Sequence, residues 1–283
     1  MIATNRHKLP DAMYSLLSKS GRRPTRREYH VTQLIGSPLQ RVLLMKHYDE
    51  ITEDVSERLW ALLGSSVHYV LLLGTPAEAL AEENMSLRVD DAIVVGTSDL
   101  YQKANLEDYK VTSVFSFLLG DKPEWEAQLN VYGAMYLAMG FPVDALFINA
   151  ILRDWQKSKS LRDPDYPKIP FQRVTIPMWN EDDARAYIND RVALHKQAED
   201  TGNAPCCTDE ERWAKPTTYA VYKKGNKRAA RVLTDREAAE TWAELNLDCK
   251  FEIQERPGGY IRCESYCPVR QVCDHNPYRT SDL

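Results

Sequence analysis

The order of apolar and polar positions divides the chain into two stretches of different character. From about residue 31 to residue 202 the pattern is regular. Ser37-Pro38 opens a helix, with the proline in a first-turn position where its missing N–H costs nothing. Leu59, Leu62, Leu63, Val67 and Val70 then recur at helical spacing through "DVSERLWALLGSSVHYVLLLG". Three β-branched or alternating segments follow, "AEENMSLRV", "DAIVVGTSDLYQ" and "LEDYKVTSVFS", parted by turn residues at Asp90-Asp91 and from Lys103 to Asn105. They predict a three-stranded meander. "PEWEAQLNVYGAMYLAMG" predicts a helix begun by Pro123 and stopped by Gly140, and "DALFINAILRDW", apolar almost throughout, a central strand. "QRVTIPM" adds a further strand. "NEDDARAYINDRVALHKQAED" is a helix with Asn180 as its N-cap and acids in its first turn, ending near Thr201-Gly202.

Beyond Gly202 the regularity is lost. "APCCTDEERW" shows no period. "TTYAVYKKGNKRAARVL" predicts a β-hairpin turning at Gly225-Asn226, and "TDREAAETWAEL" a short helix with Thr234 as cap and Glu237 completing a capping box. "KFEIQERPGGYIRCESYCPVRQVC" is a strand or hairpin leading into a compact cysteine-rich end. The expected organisation is a basic N-terminal extension over residues 1–30, an α/β (α+β) core over 31–202 and a cysteine-rich C-terminal appendage over 203–283.

Composition adds bounds rather than direction. At 43% hydrophobic and 27% charged residues over 283 positions, the chain reads as a soluble globular protein. Its apolar runs are too short and interrupted to span a bilayer, and "MIATNRHKLPDAMY" lacks the apolar core of a signal peptide, so a cytoplasmic location is expected, in a cell or host cell. The net charge of −5 gives no hint of nucleic acid, but its distribution does. Arg22, Arg23, Arg26 and Arg27 cluster near the start. Lys223, Lys224, Lys227, Arg228 and Arg231 form a second cluster, with Tyr219 and Tyr222 nearby. Either is ordinarily a solvated face; two on an acidic protein favour a polyanionic partner that touches part of the surface.

The candidate chemistry lies in "GTSDLYQKANLEDYK". Asp99 ends an apolar strand after small residues that leave room close to the backbone. If the next strand returns antiparallel, Asp108 comes alongside it, and Lys110 shares the face of Asp108. Two neighbouring carboxylates raise each other's pKa unless a cation sits between them, and a hard divalent ion accepts such an oxygen-rich setting. An ammonium beside that ion orients water and adds positive charge, which is what metal-assisted phosphodiester hydrolysis needs. An Asp-x-Lys by itself is equally a surface ion pair.

Gly-x-x-Asp followed about nine residues later by Asp-x-Lys resembles the PD-(D/E)xK nuclease superfamily. Four further features resemble its RecB-like exonuclease branch, which includes nuclease domains of recombination helicases and CRISPR-adaptation nucleases. They are Gly64 and His68 in "GSSVH", an acid before the first strand (Glu82 or Glu83), Gln128 and Tyr132 in "QLNVYGAMY", and the late cysteines. The resemblance covers roughly residues 30–155 plus those cysteines. It implies a restriction-endonuclease-like αβββαβ core, a mixed central sheet flanked by helices. It implies Mg²⁺ or Mn²⁺ held by His68, Asp99, Asp108 and the Tyr109 carbonyl, with Lys110 acting on the nucleophilic water. Gln128 would support the lysine or the scissile phosphate, Tyr132 would contact DNA or brace the site, and Glu82 or Glu83 would stand behind the ligands.

Several members of the branch carry a 4Fe-4S iron–sulfur cluster on three late cysteines and one early one. Here Cys263, Cys267 and Cys273 match the late set, but "LIGSPLQRVLL" has no early cysteine. Cys207, or else Cys206, is the candidate fourth ligand. Four thiolates suit Zn²⁺ equally well, and free buried thiols are the plain alternative. Cys249 reads as a structural thiol. The implied activity is a DNA nuclease, an exonuclease on single strands or ends, in recombination or DNA processing, viral sources included. The basic hairpin would hold phosphates, helped by the early arginines, and Tyr219 or Tyr222 would stack on bases. The alternative is a non-catalytic DNA- or protein-binding module on the same fold. A homo-oligomer or a recombination partner protein stays open.

Overall fold

The structure, a computed structural model, describes residues 1–19, 21–120, 122–246 and 250–279. The chain forms two compact units, residues 1–204 and 205–283. Cys249 lies outside the described residues. No helix among the described residues is long and apolar enough to cross a membrane.

The strands of the first unit are β1 (Ile2–Thr4), β2 (Glu28–His30), β3 (Thr52–Asp54), β4 (Leu80–Val89), β5 (Ala92–Gln102), β6 (Asn105–Thr112), β7 (Ala145–Leu152) and β8 (Phe171–Ile176). Its helices are α1 (Asp11–Leu17), α2 (Val31–Leu34), α3 (Pro38–His47), α4 (Leu59–Leu73), α5 (Val114–Leu118), α6 (Pro123–Ala138), α7 (Lys157–Ser160) and α8 (Glu181–Thr201). The run α4-β4-β5-β6-α5-α6-β7 follows the expected order of helix, three strands, helix and strand, except that α5 takes the end of the segment read as the third strand. Strands β2, β4, β5, β6, β7 and β8 make one six-stranded sheet. It is mixed: β6 and β7 run parallel, β7 and β8 antiparallel, β4 and β5 antiparallel. The first thirty residues are woven into the unit, since β1 pairs with β3 and β2 pairs with β5.

One pairing detail shapes everything downstream. β4 occupies one edge of β5 along its length. The other edge is shared: β2 pairs with residues 93–95 and β6 with residues 100–102, from Leu100↔Glu107 outward. Between them, residues 96–99 have no strand partner on that edge, so the sheet splits there.

Helix α6 is buried along most of its length, from Ala127 to Gly133 and again at Met135 and Tyr136. Gln128, Tyr132 and Tyr136 repeat every four residues and so share one face. Tyr136 fastens that face to β5, its hydroxyl 2.8 Å from Ser98 Oγ and its ring stacked on Tyr101 at 4.5 Å. Side chains alternate along β6. Asp108 and Lys110 meet Gln128 of α6, while the Tyr109 ring meets His68 of α4 edge-on, which places α4 and α6 on opposite faces.

Helix α8 begins as expected, Asn180 accepting the Asp183 N–H at 2.8 Å, and stops at left-handed Gly202. His195 and Arg191 on α8 satisfy the carbonyl of Leu34, at 3.0 and 2.9 Å, at the end of α2. Glu199, its side chain fully buried, pairs with the almost fully buried Arg41 of α3 at 3.0 Å. The arginines near the start are engaged here too. Arg27 holds Asp200 at 2.6 Å and Glu199 at 3.4 Å, Arg26 also pairs with Asp200, and Arg23 pairs with Asp49. Arg26 and Arg27 thus meet an acid of α8 far away in sequence, while Arg22, Arg23 and Arg26 remain exposed.

The second unit has α9 (Asp209–Arg212), β9 (Ala214–Lys215), β10 (Thr218–Lys223), β11 (Arg231–Leu233), α10 (Arg236–Leu245), β12 (Phe251–Arg256) and β13 (Gly259–Tyr260). β11, β10 and β12 form an antiparallel sheet, and β9 pairs with β13. Two local readings change. The cap of α10 is Asp235, which accepts the Ala238 N–H at 2.9 Å, rather than Thr234. The reciprocal capping box instead starts α9, between Thr208 and Glu211, in the stretch read as without period; one helical turn is too short to show a period. The hairpin of β10 and β11 forms, with Gly225 at φ +89°, but residues 224–230 make a longer connection than a tight turn. The buried apolar set of this unit is small, centred on Ala220, Val221, Ala239, Cys267, Val269 and Cys273.

Candidate active site

The split in the sheet is where the candidate residues gather. Asp99 stands just beyond the last β5–β6 ladder pair. Its Oδ2 accepts the Tyr109 N–H at 2.6 Å, so the carboxylate takes the place of the missing ladder partner. Across β4, Glu82 sits opposite Asp99, with φ +53°, a left-handed conformation inside a strand. That twist is costly for a non-glycine residue. It leaves Glu82 half-buried while Glu83, on the other side, is exposed. The structure thus selects Glu82 over Glu83, and places it within β4 rather than before it.

His68 reaches in from α4. Its Nδ1 lies 3.4 Å from Asp99 Oδ1 and 3.5 Å from Glu82 Oε1. Its Nε2 lies 3.1 Å from the Tyr109 carbonyl oxygen. Each of His68, Glu82 and Asp99 offers a ligand atom within 4.8 Å of the others. The negative charge around the ring, Asp99 first, pushes the imidazole up to about 9. Burial, and then Asp99, raise the Glu82 carboxyl.

Asp108 stands beside this trio but is turned to a second group. It is 2% exposed, its Oδ1 accepts from Gln128 Nε2 at 3.1 Å, and Lys110 Nζ approaches Oδ2 at 2.7 Å. That approach is off the hydrogen-bonding axis, and Oδ2 has no aligned donor. Burial raises the Asp108 carboxyl against the pull of Lys110. Lys110 also donates to Gln128 Oε1 at 3.0 Å. Gln128 therefore bridges acid and ammonium and fixes their spacing.

Tyr132, one turn on from Gln128, is 4% exposed and packs against Gly96. A Cβ at Gly96 would overlap the Tyr132 ring and press on Val31. The room expected beside Gly96 for a ligand is therefore filled by this tyrosine, which burial pushes up to about 12.

The donor set of His68, Glu82 and Asp99, two carboxylates and an imidazole beside the Tyr109 carbonyl, suits a divalent ion. Sequence reasoning left Glu82 behind the ligands; only its pairing opposite Asp99 brings it forward.

In the second unit Cys206 is exposed, Cys207 and Cys263 are half-buried, and Cys267 and Cys273 are buried; none of these forms a disulfide. Burial raises the Cys263 thiol and pushes Cys267 up to about 11. Arg212 donates to Cys206 Sγ and feels the charges of Cys206, Cys263 and Cys207. The thiols thus share one neighbourhood. Among the described residues, however, no three of them bring their sulfurs within 4.8 Å of one another, whereas a tetrahedral zinc site holds them about 3.8 Å apart. The basic hairpin lines a concavity of about 650 Å³ with Lys227, Arg228, Arg231 and Arg256. Tyr222 accepts from Arg256 at 2.6 Å, which places its hydroxyl beside those cations.

No family model matches this chain, and no curated protein matches it. Two solved structures are similar to parts of it. One, described as SSO0001, is 18% identical, with 64% of this chain and 83% of that chain covered at a TM-score of 0.41. The other is a phage-related exonuclease from Haemophilus somnus 129PT, 12% identical, with 62% and 94% covered at a TM-score of 0.41. Similarity of that extent carries no functional argument for this chain.

Proposed function

We propose that the chain is a divalent-metal-dependent deoxyribonuclease, a RecB-like member of the PD-(D/E)xK superfamily. The observation that carries this reading is the convergence of His68, Glu82 and Asp99 at a split in the sheet, directly beside the Asp108–Lys110–Gln128 chain. His68, Glu82, Asp99, Asp108 and the Tyr109 carbonyl would hold Mg²⁺ or Mn²⁺. Such an ion lowers the pKa of a bound water and offsets charge growing on phosphate oxygens. Lys110 donates one N–H to Gln128 and stands in ion-pair contact with Asp108, and its remaining N–H groups are left to hold the attacking water or a phosphate oxygen. Gln128 keeps the ammonium in place. Tyr132 braces α6 against β5 from below the site.

The substrate is DNA, as single strands or ends, with exonucleolytic cleavage in recombination or DNA processing. Phosphates are held by the hairpin cations around Arg228 and Arg231. Cys263, Cys267, Cys273 and Cys207 would bind a 4Fe-4S cluster, with Zn²⁺ as the competitor.

The test is incubation of labelled single- and double-stranded DNA with Mg²⁺, Mn²⁺ or EDTA. Metal-dependent cleavage is expected, falling about 10²- to 10⁴-fold in Asp108→Ala and in Lys110→Ala. Cleavage of linear but not circular substrates is expected of an exonuclease. DNA retention without cleavage under all three conditions would instead indicate a binding module. Visible absorption of anaerobically purified protein separates iron–sulfur from zinc.

A further inference from the structure

Helix α4 does more than deliver His68. Leu59–Leu73 contains no Asp, Glu, Lys or Arg and no fully buried residue. Trp60 and Tyr69 are each 64% exposed. A helix without Asp, Glu, Lys or Arg that leaves its large side chains in solvent is unusual unless something covers them.

What covers the first turn is indicated by its neighbour. The Arg153 guanidinium lies over the Trp60 ring, 4.2 Å from its centroid. Arg153 follows the last residue of β7, and its N–H donates to the Thr112 carbonyl at 2.9 Å, which ties it to β6 two residues beyond Lys110. Among the described residues no carboxylate pairs with Arg153 within salt-bridge distance. Trp60 is eight residues from His68, about 12 Å along the helix. Helix α7, just beyond β7, adds Lys157 and Lys159, both exposed. One indole face is thus taken by an unneutralised cation and the other is open, at the end of the same two elements that build the candidate active site.

We infer that Trp60, with Arg153 behind it, is a stacking subsite for a base of single-stranded DNA a few nucleotides from the scissile phosphate. Base stacking on an aromatic ring is indifferent to sequence, because every base offers a π face. An arginine behind the ring adds cation–π attraction and a charge for the adjoining phosphate. Duplex DNA keeps its bases stacked on one another and cannot use the ring. The subsite would therefore favour single strands, which deepens the nuclease reading and rests on it.

The experiment measures anisotropy of a fluorescein-labelled oligothymidine, and of a duplex of matched length, with no Mg²⁺ or Mn²⁺ added so that nothing is cleaved. Trp60→Ala is expected to weaken oligothymidine binding about tenfold and leave duplex binding within about twofold. Trp60→Phe should restore most of the loss, and Arg153→Gln should weaken binding and reduce its salt dependence. Because Trp60 is exposed, Trp60→Ala should melt as the wild type does. Unchanged oligothymidine binding in Trp60→Ala overturns the subsite, while metal-dependent cleavage by the wild type would leave the nuclease reading standing. A wild-type dimer that Trp60→Ala turns into a monomer, with DNA binding unchanged, would identify this face as a protein interface and overturn the proposal. A wild type that neither binds nor cleaves DNA overturns both.

Discussion

The carboxylate centre of the first unit and the thiol group of the second gather chemically alike side chains on very different supports. In the first, each ionisable side chain is set by regular structure. Asp99 takes the N–H that the ladder leaves free, Gln128 spaces Asp108 from Lys110, and α4 brings His68 to the gap. In the second, the thiols sit on loops and one helical turn around Arg212, with little apolar material behind them. A wide sheet packed by α6 and α8 can hold an unfavourable cluster in advance. A small unit has little core to oppose chain entropy and needs a staple. On the metal binding proposed above, the first centre should therefore persist without an ion, and the second unit should not persist without one.

The largest effect expected from that contrast is loss of the second unit alone. Cys267→Ser, or removal of bound metal by a strong chelator, should abolish hydrogen-exchange protection across β10 and β12, because metal binding there is folding free energy of several kcal/mol. Protection of β5, β6 and α6 should stay as it was. Parallel loss in both units would show that the first centre is not self-supporting.

The converse break is Glu199→Ala. It strips the carboxylate from a buried ion pair and leaves the Arg41 guanidinium unpaired, at a cost of about 3–5 kcal/mol. Urea unfolding followed by intrinsic fluorescence should show the loss in the first unit. A change below about 1 kcal/mol would mean that α8 is not what clamps α3 and the N-terminal strands.

A smaller effect is expected with pH. Burial lowers His195 from 6.5 to about 4, so its native form is the neutral ring donating to Leu34. Between those values the unfolded chain takes up a proton that the native state does not. Stability should therefore fall as pH drops from about 6.5 toward 4, by about 2 kcal/mol between pH 7 and pH 5. Urea midpoints at the two pH values test this, and His195→Gln should flatten the slope.

Local chemistry decided much of what could be read in advance. Pro123, Gly140, Asn180 and Gly202 punctuate their helices where expected, because caps and breakers act within one turn. Capping failed at Thr234, where Asp235, one residue on, had an equally suitable side chain. The ion pair of Arg27 with Asp200 was not legible in advance, because the two lie 173 residues apart in the chain.

The sequence by itself determined the order of elements, the alternation that puts Asp108 and Lys110 on one face, and the four-residue step that aligns Gln128 with Tyr132. Each of these follows from the fixed period of a strand or a helix. Tertiary structure alone decided that β2 and β6 share one edge of β5 and open the sheet at Asp99, and that Glu82 rather than Glu83 faces the gap. It also set Tyr132 into the space beside Gly96. Those outcomes depend on which strand reaches which edge, and that competition is settled by packing across the whole unit rather than by the preferences of any one segment.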